Sequence, residues 1–236
     1  MSLSNNYTTM VTRQAPDGEK TCQLLNKQGI NAIWQPMFSC HLYPHIPLPT
    51  QTHTLLVTSM NGIRALLAHP HTKDWPIITV GARSAEFAKS QGFKYTAHAN
   101  GTALTLVDYI SQHINVETKL CYIRGQKINT NIMQPLKDQG YDIIQTITYS
   151  MKPVALEAEH FNDQLNICNS VIFFSKRTLE QFLKHTTNEQ RQSLDAIVMS
   201  TQIAEIAYKS SFNTVIISDE PTQEALLLKI AMTAGK

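Results

Sequence analysis

The chain has 236 residues, too many for one minimal α/β domain and suited to two of ordinary size. An apolar share of 42% with only 16% charged residues excludes a disordered chain. The 20 basic and 18 acidic residues leave a net charge of +2, so no overall field draws nucleic acid or an anionic membrane, and any anion site must be local.

In chain order, the opening Met1-Ser2-Leu3-Ser4-Asn5-Asn6 carries neither a basic stretch nor an apolar core of the signal-peptide kind, and no segment reaches the roughly 18 apolar residues of a membrane span. Secretion and membrane insertion are disfavoured, and a cytoplasmic protein is expected. A strand ending at Val11, a helix up to Gly29 and a second strand form a first unit, A, over about residues 10 to 38. The stretch that follows holds Pro44, Pro47 and Pro49 among His41, His45 and His53; with His69 and His71 these histidines lack helical ligand spacing and read as polar loop residues, not a metal site. Cys22, Cys40, Cys121 and Cys168 are scattered singly with no CxxC pair, as in reduced cytosolic proteins.

Continuous apolar runs then recur: Leu55-Leu56-Val57, Ile77-Ile78-Thr79-Val80, Cys121-Tyr122-Ile123, Val171-Ile172-Phe173-Phe174, Ala196-Ile197-Val198-Met199 and Val215-Ile216-Ile217. Runs without alternation mark strands buried on both faces, as in a parallel sheet. Between them lie segments of helical period, such as Ile203, Ile206 and Ala207, or Leu226, Leu227 and Ile230. The pattern predicts α/β domains built from βαβ units.

The pieces also repeat. An offset of 116 carries Leu55 to Ser59 onto Val171 to Ser175, one of 119 carries Ala85-Glu86 onto Ala204-Glu205, and one of 120 carries Thr102, Leu106 and Ile110 onto Thr222, Leu226 and Ile230. An offset of 111 takes Thr12-Arg13 to Ile123-Arg124 and Gln28-Gly29 to Gln139-Gly140. Gly29 and Gly140 are expected just past helix ends, where a left-handed backbone is needed. The chain therefore reads A, B (about 54 to 110), A′ (about 121 to 149), B′ (about 170 to 230). The repeat alone leaves two pairings open, A with B in tandem or A with B′ across the chain ends.

In parallel α/β sheets ligands bind outside the carboxyl ends of the strands. Arg13, Ser59, Asn61, Gly81, Ser84, Arg124, Gly125, Ser175, Ser200 and Thr201 all follow predicted strands. Helix-start N–H groups there favour carboxylates or phosphates, although Ser, Thr and Asn at such places also serve as ordinary N-caps. No GxGxxG, GxxxxGK, GxSxG or HExxH motif is present, which removes the main support for nucleotide, ATP and serine-hydrolase readings.

The ordered set Val11-Thr12-Arg13, Val80-Gly81-Ala82-Arg83-Ser84-Ala85-Glu86, Arg124-Gly125, Thr148-Tyr149-Ser150-Met151-Lys152-Pro153, Phe173-Phe174-Ser175 and Glu220-Pro221-Thr222 resembles uroporphyrinogen-III synthases over roughly residues 8 to 232. Gln14 stands where the family usually has proline, and Ser200-Thr201-Gln202-Ile203 replaces a turn that usually begins Gly-Pro. The resemblance implies two similar three-layer α/β/α domains with parallel sheets in the exchanged pairing: a discontinuous domain of 1–38 plus 154–236, a second of 52–149, and extended connectors at 39–53 and 149–155. It further implies closure of hydroxymethylbilane to uroporphyrinogen III in haem biosynthesis, with loss of water, inversion of the last pyrrole ring and no cofactor or metal, by a monomer that at most meets the preceding pathway enzyme transiently. Arg13, Arg124, Lys152 and the helix starts would bind substrate carboxylates in a cleft between the domains, and Tyr149 would be the catalytic acid. The competing reading is a non-catalytic two-domain binder of a small anion on the same scaffold.

Overall fold

A computed structural model describes residues 7–99, 101–128 and 130–235. Along the chain run β1 (Thr8–Val11), α1 (Asp17–Lys27), β2 (Asn31–Trp34), β3 (Phe38–Leu42), β4 (Thr54–Val57), α2 (Met60–Leu66), β5 (Ile77–Thr79), α3 (Ala82–Ser90), β6 (Thr96–His98) and α4 (Ala103–His113). They are followed by β7 (Leu120–Gly125), α5 (Met133–Asp138), β8 (Ile143–Pro153), α6 (Ala158–Asn166), β9 (Ser170–Phe173), α7 (Lys176–Leu183), α8 (Asn188–Arg191), β10 (Asp195–Val198), α9 (Thr201–Ala207), β11 (Thr214–Ile217) and α10 (Gln223–Ala234).

The strands form two sheets, ordered β11-β10-β9-β1-β2 and β3-β8-β7-β4-β5-β6. Under the sequence offsets β4, β5, β6, β7 and β8 correspond to β9, β10, β11, β1 and β2, so the two sheets share one strand order. The first sheet joins A to B′ and the second joins B to A′, the exchanged arrangement. The chain divides accordingly into Met1–Ser39 with Lys152–Lys236, and Cys40–Met151. The paired strands are parallel, with Val11 opposite Ile172 and Val57 opposite Ile123. The added edge strand β3 differs: Tyr43 N–H donates to Thr148 O and Val154 N–H to Met37 O, so β3 and β8 run antiparallel.

Alternation along each buried strand fills both faces of the sheet. In the second unit Leu55, Val57, Ile77 and Ile123 meet Ile63, Leu66, Ala88 and Phe93 on one side. Leu56, Ile78 and Tyr122 meet Leu106, Val107, Ile110 and Leu136 on the other. In the first unit Val11, Ile172 and Ile197 pack against Leu25, Leu226 and Ile230. The opposite side carries an aromatic stack in which Phe173 meets Phe182 edge-on at 5.2 Å and Phe182 stacks on Phe212 at 6.2 Å. Helices over both faces explain why these strands read as unbroken apolar runs.

Helix ends repeat with the strands. Ser59 and Ser175 cap α2 and α7, and Thr102 and Thr222 cap α4 and α10, each side chain accepting a main-chain N–H. Gly29 and Gly140 take positive φ, 77° and 91°. So do Gly92 (90°) and, at the position 119 residues further on, Ser211 (58°). Of the four free cysteines, Cys22, Cys121 and Cys168 are buried. Burial pushes the Cys168 thiol up to about 12, and burial with Glu19 nearby pushes Cys22 up to about 11. No helix among the described residues is long and apolar enough to cross a membrane.

Candidate functional site

Because the strands of each sheet other than β3 run the same way, their loops into following helices collect at one edge. In the second unit this carboxyl edge carries Ser59 and Asn61 after β4, Gly81 and Ser84 after β5, and Arg124 with Gly125 at the end of β7. The long β8 passes alongside and brings Tyr149 opposite Gly125. In the first unit the same edge carries Arg13, Ser175, Ser200 and Thr201. Lys152 lies near the end of β8, exposed, its carbonyl accepting from Ser39 Oγ at 3.5 Å.

Several of these groups are already engaged. Ser59 Oγ holds the Asn61 N–H at 3.2 Å, and Ser175 Oγ the Thr178 N–H at 3.2 Å. Asn61 is buried; its Oδ1 accepts from Arg64 Nη1 at 2.6 Å and its Nδ2 points to Met151 Sδ at 3.7 Å. Arg13 forms an ion pair with Asp17 at 3.5 Å, donates to Gln223 Oε1 at 3.0 Å and lies 4.7 Å over the Phe174 ring. Asp17 therefore already offsets part of that charge.

Two helix starts differ. Gly81 and Ser200, related by the 119-residue offset, are the N-caps of α3 and α9, and neither supplies a side-chain cap bond. A Cβ built on Gly81 meets nothing within 4 Å, so the protein's own packing does not demand glycine there. Gly125 is the opposite case: a Cβ would sit 2.7 Å from Tyr149 Cε2 and Cζ and 3.0 Å from its hydroxyl oxygen. The half-buried Tyr149 ring thus packs directly against the Gly125 backbone. Arg124, next to it, donates from Nε to Gln145 Oε1 at 2.9 Å and from Nη1 to Gly125 O at 3.0 Å and Gln126 O at 3.1 Å.

Sequence reasoning did not pick out Gln145 or Gly18, because neither belongs to a motif. Gly18 in α1 leaves room for Trp34, whose Nε1 donates to Arg13 O at 2.8 Å; a Cβ there would lie 2.2 Å from that oxygen. The histidines form ring contacts with Trp75, His71 at 5.6 Å and His53 at 6.3 Å, and among the described residues no three His, Cys, Asp or Glu side chains group as metal ligands. An open groove of about 810 Å³ lies at the other edge of the second sheet, by Thr54, Ile77, Thr96, Tyr109 and His113. None of the strand-end residues lines it, and its charged lining residues are Lys89 and Lys94.

Two doubly wound α/β units that share one strand order define the class of protein. The chain belongs to the uroporphyrinogen-III synthase family: the model of the uroporphyrinogen-III synthase HemD family matches residues 19–227. Among solved structures it is similar to uroporphyrinogen-III synthetase from Helicobacter pylori, at 17% identity and a TM-score of 0.67 over 97% of this chain and 99% of that one. A mutant uroporphyrinogen III synthase from the extremely thermophilic bacterium Thermus thermophilus is similar at 15% identity and a TM-score of 0.58, over 96% and 99%. These likenesses establish the fold; no curated protein matches the sequence. The chain is an enzyme of tetrapyrrole synthesis, closing hydroxymethylbilane to uroporphyrinogen III with loss of water and inversion of the last ring.

Proposed function

We propose that this chain performs the cyclisation chiefly by holding its substrate at the strand-end loops, with Tyr149 as the acid that releases water. The observation that carries the reading is the seat of Tyr149, a phenol fixed against Gly125 at the carboxyl edge of its sheet, where loops and helix starts collect. Hydroxymethylbilane carries an acetate and a propionate on every ring, so it needs several donors. In the unit that holds Tyr149, the helix start at Gly81 with Ser84, which has no side-chain cap, supplies main-chain N–H groups.

The Tyr149 hydroxyl donates its proton to the departing hydroxyl as the carbon–oxygen bond breaks, releasing water and leaving an azafulvene-like cation. Attack by the substituted carbon of the last ring gives a spiro intermediate. Opening and reclosure invert that ring, and the proton lost on closure restores the phenol. The departing group is expelled readily by the electron-rich pyrrole, so the larger task is geometric, and positioning is worth several kcal/mol without a strong acid or base. Three buried thiols without disulfides accord with a cytoplasmic enzyme, and we read it as a monomer. Freshly generated hydroxymethylbilane, incubated with the protein and then oxidised for isomer separation, is expected to yield isomer III. Isomer I alone, formed at the rate without protein, would overturn the reading.

A further inference from the structure

We propose that Arg124 is a positioning residue for Tyr149, and not a ligand for substrate carboxylates: its guanidinium ties down the turn against which the tyrosine ring is seated. The sequence places Arg124 at a strand end, where an arginine commonly faces an anion. The structure folds it back instead. One guanidinium spans Gln145 on β8 and two successive carbonyls, those of Gly125 and Gln126. All three acceptors are neutral, so what the arginine contributes is its rigid planar fork and not the satisfaction of an opposite charge.

The turn needs such a restraint. β7 and β8 stay in register as far as Arg124 opposite Ile147, then slip so that Gly125 faces Tyr149, leaving Thr148 as the extra residue of a bulge. A bulge bends its strand and re-aims the side chains beyond it. Thr148 Oγ1 donates to Arg124 O at 3.3 Å and Gln126 N–H donates to Tyr149 O at 2.8 Å, closing the irregular rung from both sides. Glycine at 125 is required by space, since the ring occupies the volume a Cβ would take. It is also the residue with the most backbone freedom. Gly125 admits the ring, and Arg124 keeps Gly125 where the ring can rest on it.

The kinetic part of this proposal rests on Tyr149 being the acid, so the test separates the two. In a double-mutant cycle, Arg124→Gln and Arg124→Lys should each lower kcat about 10-fold with KM changed less than about twofold, lysine failing to rescue because it lacks the fork. Adding Tyr149→Phe to either should cost little beyond Tyr149→Phe alone. A several-fold rise in KM with kcat intact, rescue by lysine, or fully multiplicative losses would overturn the assignment. Independently of turnover, 3-fluorotyrosine incorporated at Tyr149 gives a fluorine resonance that Arg124→Gln and Gly125→Ala should shift or broaden in the protein alone. An unmoved resonance overturns the positioning role. A moved resonance together with an unimpaired Tyr149→Phe variant supports the bracket while removing Tyr149 as the acid.

Discussion

At the end of β1, Arg13 is held by Asp17, Gln223 and the Phe174 ring, whereas at the equivalent end of β7, Arg124 turns back on its own main chain and Gln145. The two arginines descend from one repeated position, and the sheets around them share a strand order. What separates them is what surrounds the turn. Gly18 lets Trp34 bond the Arg13 carbonyl in the first unit, while Gly125 lets a tyrosine ring lie on the turn in the second. The two units keep one scaffold, while the side chains packed around their strand-end turns differ.

Four substitutions sharpen that contrast. Gly18→Ala should have the largest effect on stability, because the new methyl would overlap a carbonyl oxygen and the indole of Trp34. Overpacking of this kind costs about 1–3 kcal/mol, read from a denaturant melt; an unchanged midpoint would show that the β1 turn yields easily. Arg13→Ala comes next. It removes the ion pair with the buried Asp17, the bond to Gln223 and the contact with the Phe174 ring, so it should lower the melting temperature by several degrees while leaving KM nearly unchanged. A higher KM at unaltered stability would place Arg13 on the substrate.

Gly81→Ala reverses the expectation. Its added methyl meets no protein atom within 4 Å and its φ of −136° suits any residue, so stability should hold while KM rises several-fold if substrate approaches that helix start. Unchanged kinetics would remove Gly81 from the binding surface. Smallest is Ser211→Gly, which replaces a left-handed serine by the residue its counterpart Gly92 already has. Relief of that strain, less the entropy that glycine adds to the unfolded chain, should stabilise by about 0.5–1 kcal/mol. No gain in melting temperature would mean that the site tolerates serine at no cost.

Which parts were legible beforehand follows from where the information lies. Leu55 to Val57 and Val171 to Phe173 announce buried strands because helices cover both of their faces, and the long-range offsets recover the duplicated order. β6 escaped because Thr96-Ala97-His98 is a polar strand at the sheet edge, with no run of apolar residues to mark it. β3 escaped because Phe38–Leu42 leads into a proline-rich stretch that reads as a linker. The short α8 was not anticipated either. Arg13 and Arg124 were recognisable as strand-end arginines, but their partners Gln223 and Gln145 lie 210 and 21 residues away and belong to no motif. The packing of Tyr149 against Gly125 depends on a register slip between two strands, which no local pattern encodes.

The most direct test of the account follows rate and product together in Tyr149→Phe supplied with freshly generated hydroxymethylbilane. Loss of one oxygen leaves the ring on Gly125, so the fold should persist. Turnover should fall about 100-fold, at the low end of what a general acid contributes, because the pyrrole itself helps expel the hydroxyl. Isomer III should remain the main product, since inversion depends on how the chain holds its substrate. An unchanged kcat, or a switch to isomer I, would contradict the division of labour between a proton-delivering tyrosine and a shape-determining set of strand-end loops.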